Sequence, residues 1–300
     1  MGFPKFNISY TRASKRLKNM FNINGAHPKI VKEGFEKLPE EIYLSKMTWP
    51  EVEERLKESD IAIVIVGSTE AHGLHLPVET DFLETCEITR RAAEKVADEV
   101  KPVIAPPIPY GVSRELMSFP GTITLQEETL RALLKDVCRS LIHHGFKKIV
   151  LMDGHGGNYP SIDSTAGEVA EETGAIVAVV RFWEIGSDII EKETSSRTIL
   201  HADEAETSIV WACGARVLMG KAKKTIFKNP SKYVKYDIPL SEMPKAHIFR
   251  SSSGYRKTLW GETAVWGDPT RATMEKGEKI VNAIVDRLAD FLKEVKALKY

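Results

Sequence analysis

Ile61-Ala62-Ile63-Val64-Ile65-Val66 runs without a break into Gly67-Ser68-Thr69-Glu70-Ala71-His72-Gly73-Leu74-His75-Leu76-Pro77-Val78-Glu79-Thr80-Asp81. Six consecutive apolar residues read as a strand buried on both faces, the habit of parallel sheets. The polar residues then arrive together. Glu70 and His72 sit two apart, so an extended backbone aims both to one side, and Asp81 falls where the next helix should begin. Carboxylate oxygens and imidazole nitrogens on a strand-exit loop are the donor set of a divalent transition metal. The plainer reading is a polar loop closed by an N-capping Asp81.

The same unit repeats on either side. Thr48-Trp49-Pro50-Glu51 has capping-box spacing with proline in the first turn, which predicts a helix to about Ser59 that feeds the strand. Apolar spacing predicts a helix over Phe82–Val100, a short strand at Val103-Ile104-Ala105, and a helix over Gln126–His144 that stops at Gly145. Lys148–Asp153 is a second buried strand and opens into Gly154-His155-Gly156-Gly157-Asn158. A helix over Ser161–Thr173 and a strand over Ala175–Phe182 follow. Strand, loop and helix in alternation predict an α/β fold, a mostly parallel sheet with helices on both faces. Sites in such sheets lie at the carboxyl ends of the strands, and His72 and His155 both sit there.

Beyond residue 200 the pattern loosens. Asp203–Ala212 reads as a helix, 221–258 as a long excursion with little periodicity, Gly261–Trp266 as a last strand, and Pro269–Lys296 as a long amphipathic helix. No internal repeat or Gly/Ser-rich linker divides the chain, so 46–300 reads as a single domain after a basic segment, 1–45. Met1–Lys32 carries seven Lys/Arg and no acid. A transit peptide or an arm packing on a neighbouring subunit would account for it.

The totals exclude several classes. Lys+Arg and Asp+Glu are both 42, for a net charge of zero, which argues against nucleic acid or an acidic membrane as the main partner. No run reaches the roughly 18 apolar residues of a membrane span. Cys86, Cys138 and Cys213 are odd in number and far apart, as suits a reducing cytoplasm.

A second acidic cluster, His201-Ala202-Asp203-Glu204-Ala205-Glu206-Thr207-Ser208, opens the helix after residue 200. Acids favour a first turn in any case, so a solvated helix start competes with a ligand role. Gly154–Asn158 is neither a Walker A loop nor G-x-G-x-x-G; a glycine-rich turn binding an anion is its plainer reading.

Taken in order, Glu70-x-His72-Gly-x-His75-Leu76-Pro77 with Thr80-Asp81, Phe119-Pro120-Gly121-Thr122, Asp153-Gly154-His155-Gly156-Gly157-Asn158 and His201…Glu206-Thr207-Ser208 resemble the creatininase (creatinine amidohydrolase) family, from about Met47 to about Leu292. The resemblance implies a three-layer αβα sandwich, two divalent metal ions per chain (Zn, Mn or Fe) bridged by an aspartate and a water, and a homo-oligomer, commonly a hexamer. It implies Glu70 and His155 as ligands of one metal, His72 of the other, Asp81 as the bridge, and His201 as the catalytic histidine that shuttles a proton. Trp183 falls where creatininase has an active-site tryptophan, and Ser118 belongs to a loop expected to enclose the substrate.

The departures are specific. Gly157 stands where creatininase has a metal-binding glutamate, so Glu206 is the expected replacement. Arg197 stands near the position of a tryptophan that closes over creatinine, and Leu116-Met117 replace a histidine that many relatives carry. The expected activity is metal-dependent hydrolysis, a metal-bound hydroxide attacking the carbonyl of a small amide or cyclic amide other than creatinine. Two alternatives are hydrolysis of a C–C bond in a cyclic ketone derived from a polyol such as inositol, and a non-catalytic metal-binding structural subunit.

Overall fold

A computed structural model of the chain describes residues 42–225, 229–235, 239 and 248–299. Most of the expected basic segment, and parts of the excursion at 221–258, lie outside the described residues.

The alternation seen in the sequence builds a sheet of four strands, all parallel, in the order β2-β1-β3-β4. In chain order the elements are α1 (Trp49–Glu58), β1 (Ile61–Val66), α2 (Thr80–Lys95), β2 (Val103–Ile104), α3 (Glu127–His143), β3 (Lys148–Asp153), α4 (Tyr159–Thr173) and β4 (Ile176–Arg181). After the sheet come α5 (Phe182–Ile185), α6 (Ser187–Glu193), α7 (Glu204–Ala212), α8 (Ser252–Tyr255) and α9 (Met274–Ala297). The capping box expected at Thr48 is formed, Glu51 accepting from the Thr48 N–H at 2.6 Å.

Pleat alternation divides β1 between two cores. Ile61, Ile63 and Ile65 pack with α2, α6, α7 and α9, whereas Ala62, Val64 and Val66 pack with α3 and α4. The result is helices on both faces of a parallel sheet, the three layers that the repeated buried strands imply. Tyr43 bridges to Ile104 and Ile42 is buried in the first core, so the packed unit begins before Met47.

Three expectations need correction. Gly261–Trp266 is not a strand: Ala264 takes a left-handed φ of 50°, and only Trp266 pairs, in an isolated bridge with His201. Helix α2 begins at Thr80 and ends at Lys95 rather than spanning 82–100. Phe182 leaves β4 to start α5, and neither α5 nor α6 announced itself, both being too short to show a period.

What the sheet does for the site follows from its register. Val66 of β1 lies beside Asp153 of β3, and Asp153 beside Arg181 of β4. Three chain exits therefore emerge side by side at one edge of the sheet.

Candidate metal centre

The β1 exit continues as a splinted, extended segment. The Glu70 N–H donates to the Val78 carbonyl at 2.9 Å, and the Ile123 N–H donates to the Thr69 carbonyl at 2.9 Å. The Thr122 hydroxyl accepts from the Ala71 N–H at 3.1 Å. That gives Phe119-Pro120-Gly121-Thr122 a physical task, holding the backbone that carries Glu70 and His72. The β3 exit meets it because Gly154 has no side chain. A Cβ there would lie 2.0 Å from Thr85 Oγ1 and 2.8 Å from the Asp81 carbonyl. Glycine thus lets the first turn of α2 settle against the β3 exit and sets Asp81 between His72 and His155.

Six of the sequence-derived residues converge. His72 Nε2 lies 2.9 Å from Asp81 Oδ1 and 3.5 Å from Glu206 Oε2. On the other side, His155 Nδ1 lies 3.1 Å from Asp81 Oδ2, and His155 Nε2 3.3 Å from Glu70 Oε2. Ligand atoms of Glu70, Asp81 and His155 fall within 4.8 Å of one another, as do those of His72, Asp81 and Glu206. A third set, Glu70, His72 and His201, meets the same limit.

His201 is held by its surroundings. Its backbone pairs with Trp266, and Nε2–H donates to the Ala71 carbonyl at 2.8 Å, leaving Nδ1 3.5 Å from Glu70 Oε1. Its ring lies 4.1 Å from that of His72 and meets Trp260 edge-on at 5.0 Å. Glu206 is set by the start of α7: Asp203 caps its N–H at 3.1 Å, while its own carboxylate accepts from the Ala202 N–H.

The charges are strongly coupled. Burial raises the Glu70 carboxyl to about 7, the neighbouring Asp81 adding to the rise and His155 opposing it. For Asp81, burial acts upward, yet His72 and His155 outweigh it and hold the carboxyl well below the usual range. Burial likewise opposes charge on His155, but Glu70 and Asp81 raise it to about 10. His72 is raised well above its ordinary value by Asp81 and Glu206 against burial. His201 goes the other way, lowered to about 4 by burial and then by His72.

These features fit a pair of cations. Both oxygens of the buried Glu70 and Oδ2 of the buried Asp81 lack a well-formed hydrogen bond among the described residues. The donors are carboxylate oxygens and imidazoles, the N/O set of Zn, Mn or Fe. The upward shifts at His72 and His155 come from the carboxylates around them, an excess of negative charge that cations would offset. A glutamate at Gly157 would not fit this loop, since a Cβ there would stand 2.1 Å from the Val112 carbonyl and 2.5 Å from His155 Nε2.

Two groups escaped the sequence reading. Glu84 lies one turn after Asp81, a spacing that places both on one helix face; its two buried oxygens have no hydrogen-bond partner among the described residues. Burial, then Glu206 and Asp81, raises its carboxyl well above the ordinary value. Asn158 is fully buried and ties the exits together. It accepts from the Val112 N–H at 2.9 Å and donates to the Gly67 carbonyl and to Asp153 Oδ1, each at 3.3 Å. Asp153 also accepts from the His155 N–H at 3.1 Å and pairs with Arg181.

A cavity of about 580 Å³ opens over the cluster, lined by Glu70, Asp81, His155, His201 and Glu206 among others. Trp183 lines it as expected. Ser118 is not among the lining residues; its carbonyl accepts from Arg256 at 2.8 Å behind the wall.

The profile of the Creatininase family, creatinine amidohydrolase, matches residues 45–292. The chain belongs to the creatininase family. Among curated relatives, a mycofactocin precursor peptide peptidase of Mycolicibacterium smegmatis is 30% identical over 78% of this chain and 84% of its own. A 3-dehydro-scyllo-inosose hydrolase of Thermotoga maritima is 26% identical over 86% of this chain and 84% of its own. A solved Zn–Zn form of a creatininase variant aligns with a TM-score of 0.69 at 23% identity, covering 86% of this chain and 99% of that one. The relatives are hydrolases, and the chain is a hydrolase of this family.

Proposed function

We propose that this creatininase-family chain is a metal-dependent hydrolase that opens a small amide or cyclic amide other than creatinine. The observation that carries the reading is the position of Asp81, with one carboxylate oxygen at His72 and the other at His155. Glu70 and His155 would hold one cation, His72 and Glu206 the other, and Asp81 both. Two such cations, when bound, lower the pKa of a shared water and polarise a carbonyl oxygen. Glu206 brings the carboxylates to three, which with one hydroxide balances four positive charges in a partly dry site.

His201 is the group we assign to proton movement. Its Nε2–H is committed to the Ala71 carbonyl, and its lowered pKa keeps the ring neutral, so Nδ1 presents a lone pair to the cavity. A neutral imidazole there accepts the proton of the attacking water and returns it to the departing nitrogen. On the substrate side we place Trp183, which lines the cavity.

The 30% identical peptide peptidase favours C–N hydrolysis. The Thermotoga relative supports a second reading, cleavage of a C–C bond in a cyclic ketone derived from a polyol. Homo-oligomer assembly, a hexamer being the family-like form, and a cytoplasmic location complete the proposal. Metal analysis beside a panel of amides, cyclic amides and cyclic ketones tests it. Two metals per chain with amine release supports the first reading, acid formation from a ketone without amine the second, and metal binding without turnover the structural-subunit alternative.

A further inference from the structure

His75 completes the His72-Gly-x-His75 spacing, which by itself could pass for a pair of metal ligands. The structure turns it elsewhere. The Leu76 N–H donates to the His72 carbonyl at 3.3 Å, closing a turn that contains Gly73. Gly73 takes a left-handed φ of 67°, and a Cβ there would lie 2.6 Å from His75 Nδ1. Glycine thus lets the ring fold back against its own turn, where it is buried. Among the described residues His75 joins none of the ligand sets around Asp81 and Glu70. Its Nε2 lies instead 2.9 Å from Oγ1 of Thr207, the fully buried residue that follows Glu206 in α7. Nδ1 has no hydrogen-bond partner among the described residues. An unpaired lone pair costs less there than an unpaired N–H, so the ring proton sits on Nε2 and is donated to the Thr207 hydroxyl.

We infer that His75 is a positioning residue: its bond to Thr207 pins the turn after His72 to the helix that carries Glu206, and so fixes the spacing of the two ligands assigned to one cation. The inference rests on the metal-dependent reading above. Glu70 and His155 follow strands that pair with each other, so the ladder of β1 and β3 sets their approach. Glu206 has no such support, because α7 lies outside the sheet. Its Oε2 nevertheless stands 3.5 Å from His72 Nε2. Two side-chain bonds flank that approach. His201 holds the Ala71 carbonyl, just before His72, to the segment leading into α7. His75 holds the turn just after His72 to α7 itself, and the Leu218 N–H backs it by donating to the His75 carbonyl at 2.8 Å. Both partners are buried, so no water competes for the His75–Thr207 bond.

The test titrates the full chain with Zn²⁺ alone, and with Mn²⁺ in a parallel set, against a competing chelator. The native protein should show two binding steps. Thr207→Val keeps the shape of the side chain and loses the hydroxyl. It should weaken by about tenfold the step that Glu206→Gln also weakens, the low end of what partners behind a metal ligand contribute, and leave the other step within about twofold. Thr207→Ser returns the hydroxyl and should bring the weakened step to within about threefold of native. Adding Thr207→Val to His75→Phe should weaken it no further than His75→Phe alone, since both remove the same bond. Should the valine variant fail to fold, Thr207→Ala serves in its place. Equal weakening of both steps overturns the inference, because the bond would then support the fold in general. So do native affinities for both cations without the hydroxyl, and a loss that Thr207→Ser does not restore. If the native chain takes up fewer than two of either ion, the metal-dependent reading fails, and the inference falls with it.

Discussion

On one side of the cavity each proposed metal ligand leaves a strand end or stands in the first turn of a helix. On the other, residues 248–266 hang on a four-residue helix, a π turn and left-handed corners at Gly261 and Ala264. The first side is fixed by ladder hydrogen bonds between three strands and by the Asn158 ties. The second is joined to it by few backbone links, among them the His201–Trp266 pair and the Gly73 N–H to the Ala264 carbonyl at 3.0 Å. Such an arrangement separates what must stay constant, the placement of charge, from what can change, the shape offered to a substrate.

Breaking the rigid side should have the largest effects. Asp81→Ala removes the carboxylate that pairs one oxygen with each imidazole, so metal content should fall from two per chain to near zero. Turnover should drop by about 10³-fold or more, since several kcal/mol of transition-state stabilisation goes with the pair. Retention of both metals by this variant would disprove the bridging role. His201→Ala separates chemistry from ligation: both metals should stay while kcat falls by about 10²–10⁴. A metal lost with the imidazole would instead make His201 a ligand, as the Glu70–His72–His201 set allows.

Glu206→Gln should weaken one metal and spare the other, measurable as two unequal steps in a chelator titration; two metals held with unchanged affinity would refute its assignment. Asn158→Ala tests whether the ties behind His155 matter. Outer-shell supports of this kind typically cost about 10–100-fold in metal affinity or activity. The loss should fall on the cation assigned to Glu70 and His155, and an equal loss at both would mean general loosening of the sheet edge.

The two sides also differed in how far they could be read beforehand. Buried strands are legible because Ile61–Val66 and Ile149–Met152 are unbroken apolar runs. Glu70, His72, Asp81 and His155 were visible because they stand at the ends of those runs, where ligands gather. Glu206 is singled out in the sequence only by the motif that includes His201, and the start of α7 sets its orientation. Asn158 belongs to the Gly154–Asn158 motif, but its role appears only when three exits lie side by side. Trp260 and Trp266 carry no local signal: a π turn and a left-handed alanine have no period, and Trp260 falls between the expected excursion and the expected strand that ends at Trp266. Glu84 was missed for a simpler reason, a buried acid at i+3 being indistinguishable by sequence from a solvated one.

The register of the sheet gives the proposed metals a part to play in assembly. A slip of β3 by one residue against β1 would displace His155 by about 3.3 Å and exchange the faces of every side chain on that strand. Asp81 could then no longer face both imidazoles, and the cation pair would have no home. Only the correctly paired chain can bind both ions, so binding draws the folding population toward it by mass action. The ions would act as proofreaders of strand pairing: metal present during refolding should raise the yield of native protein above that obtained without metal.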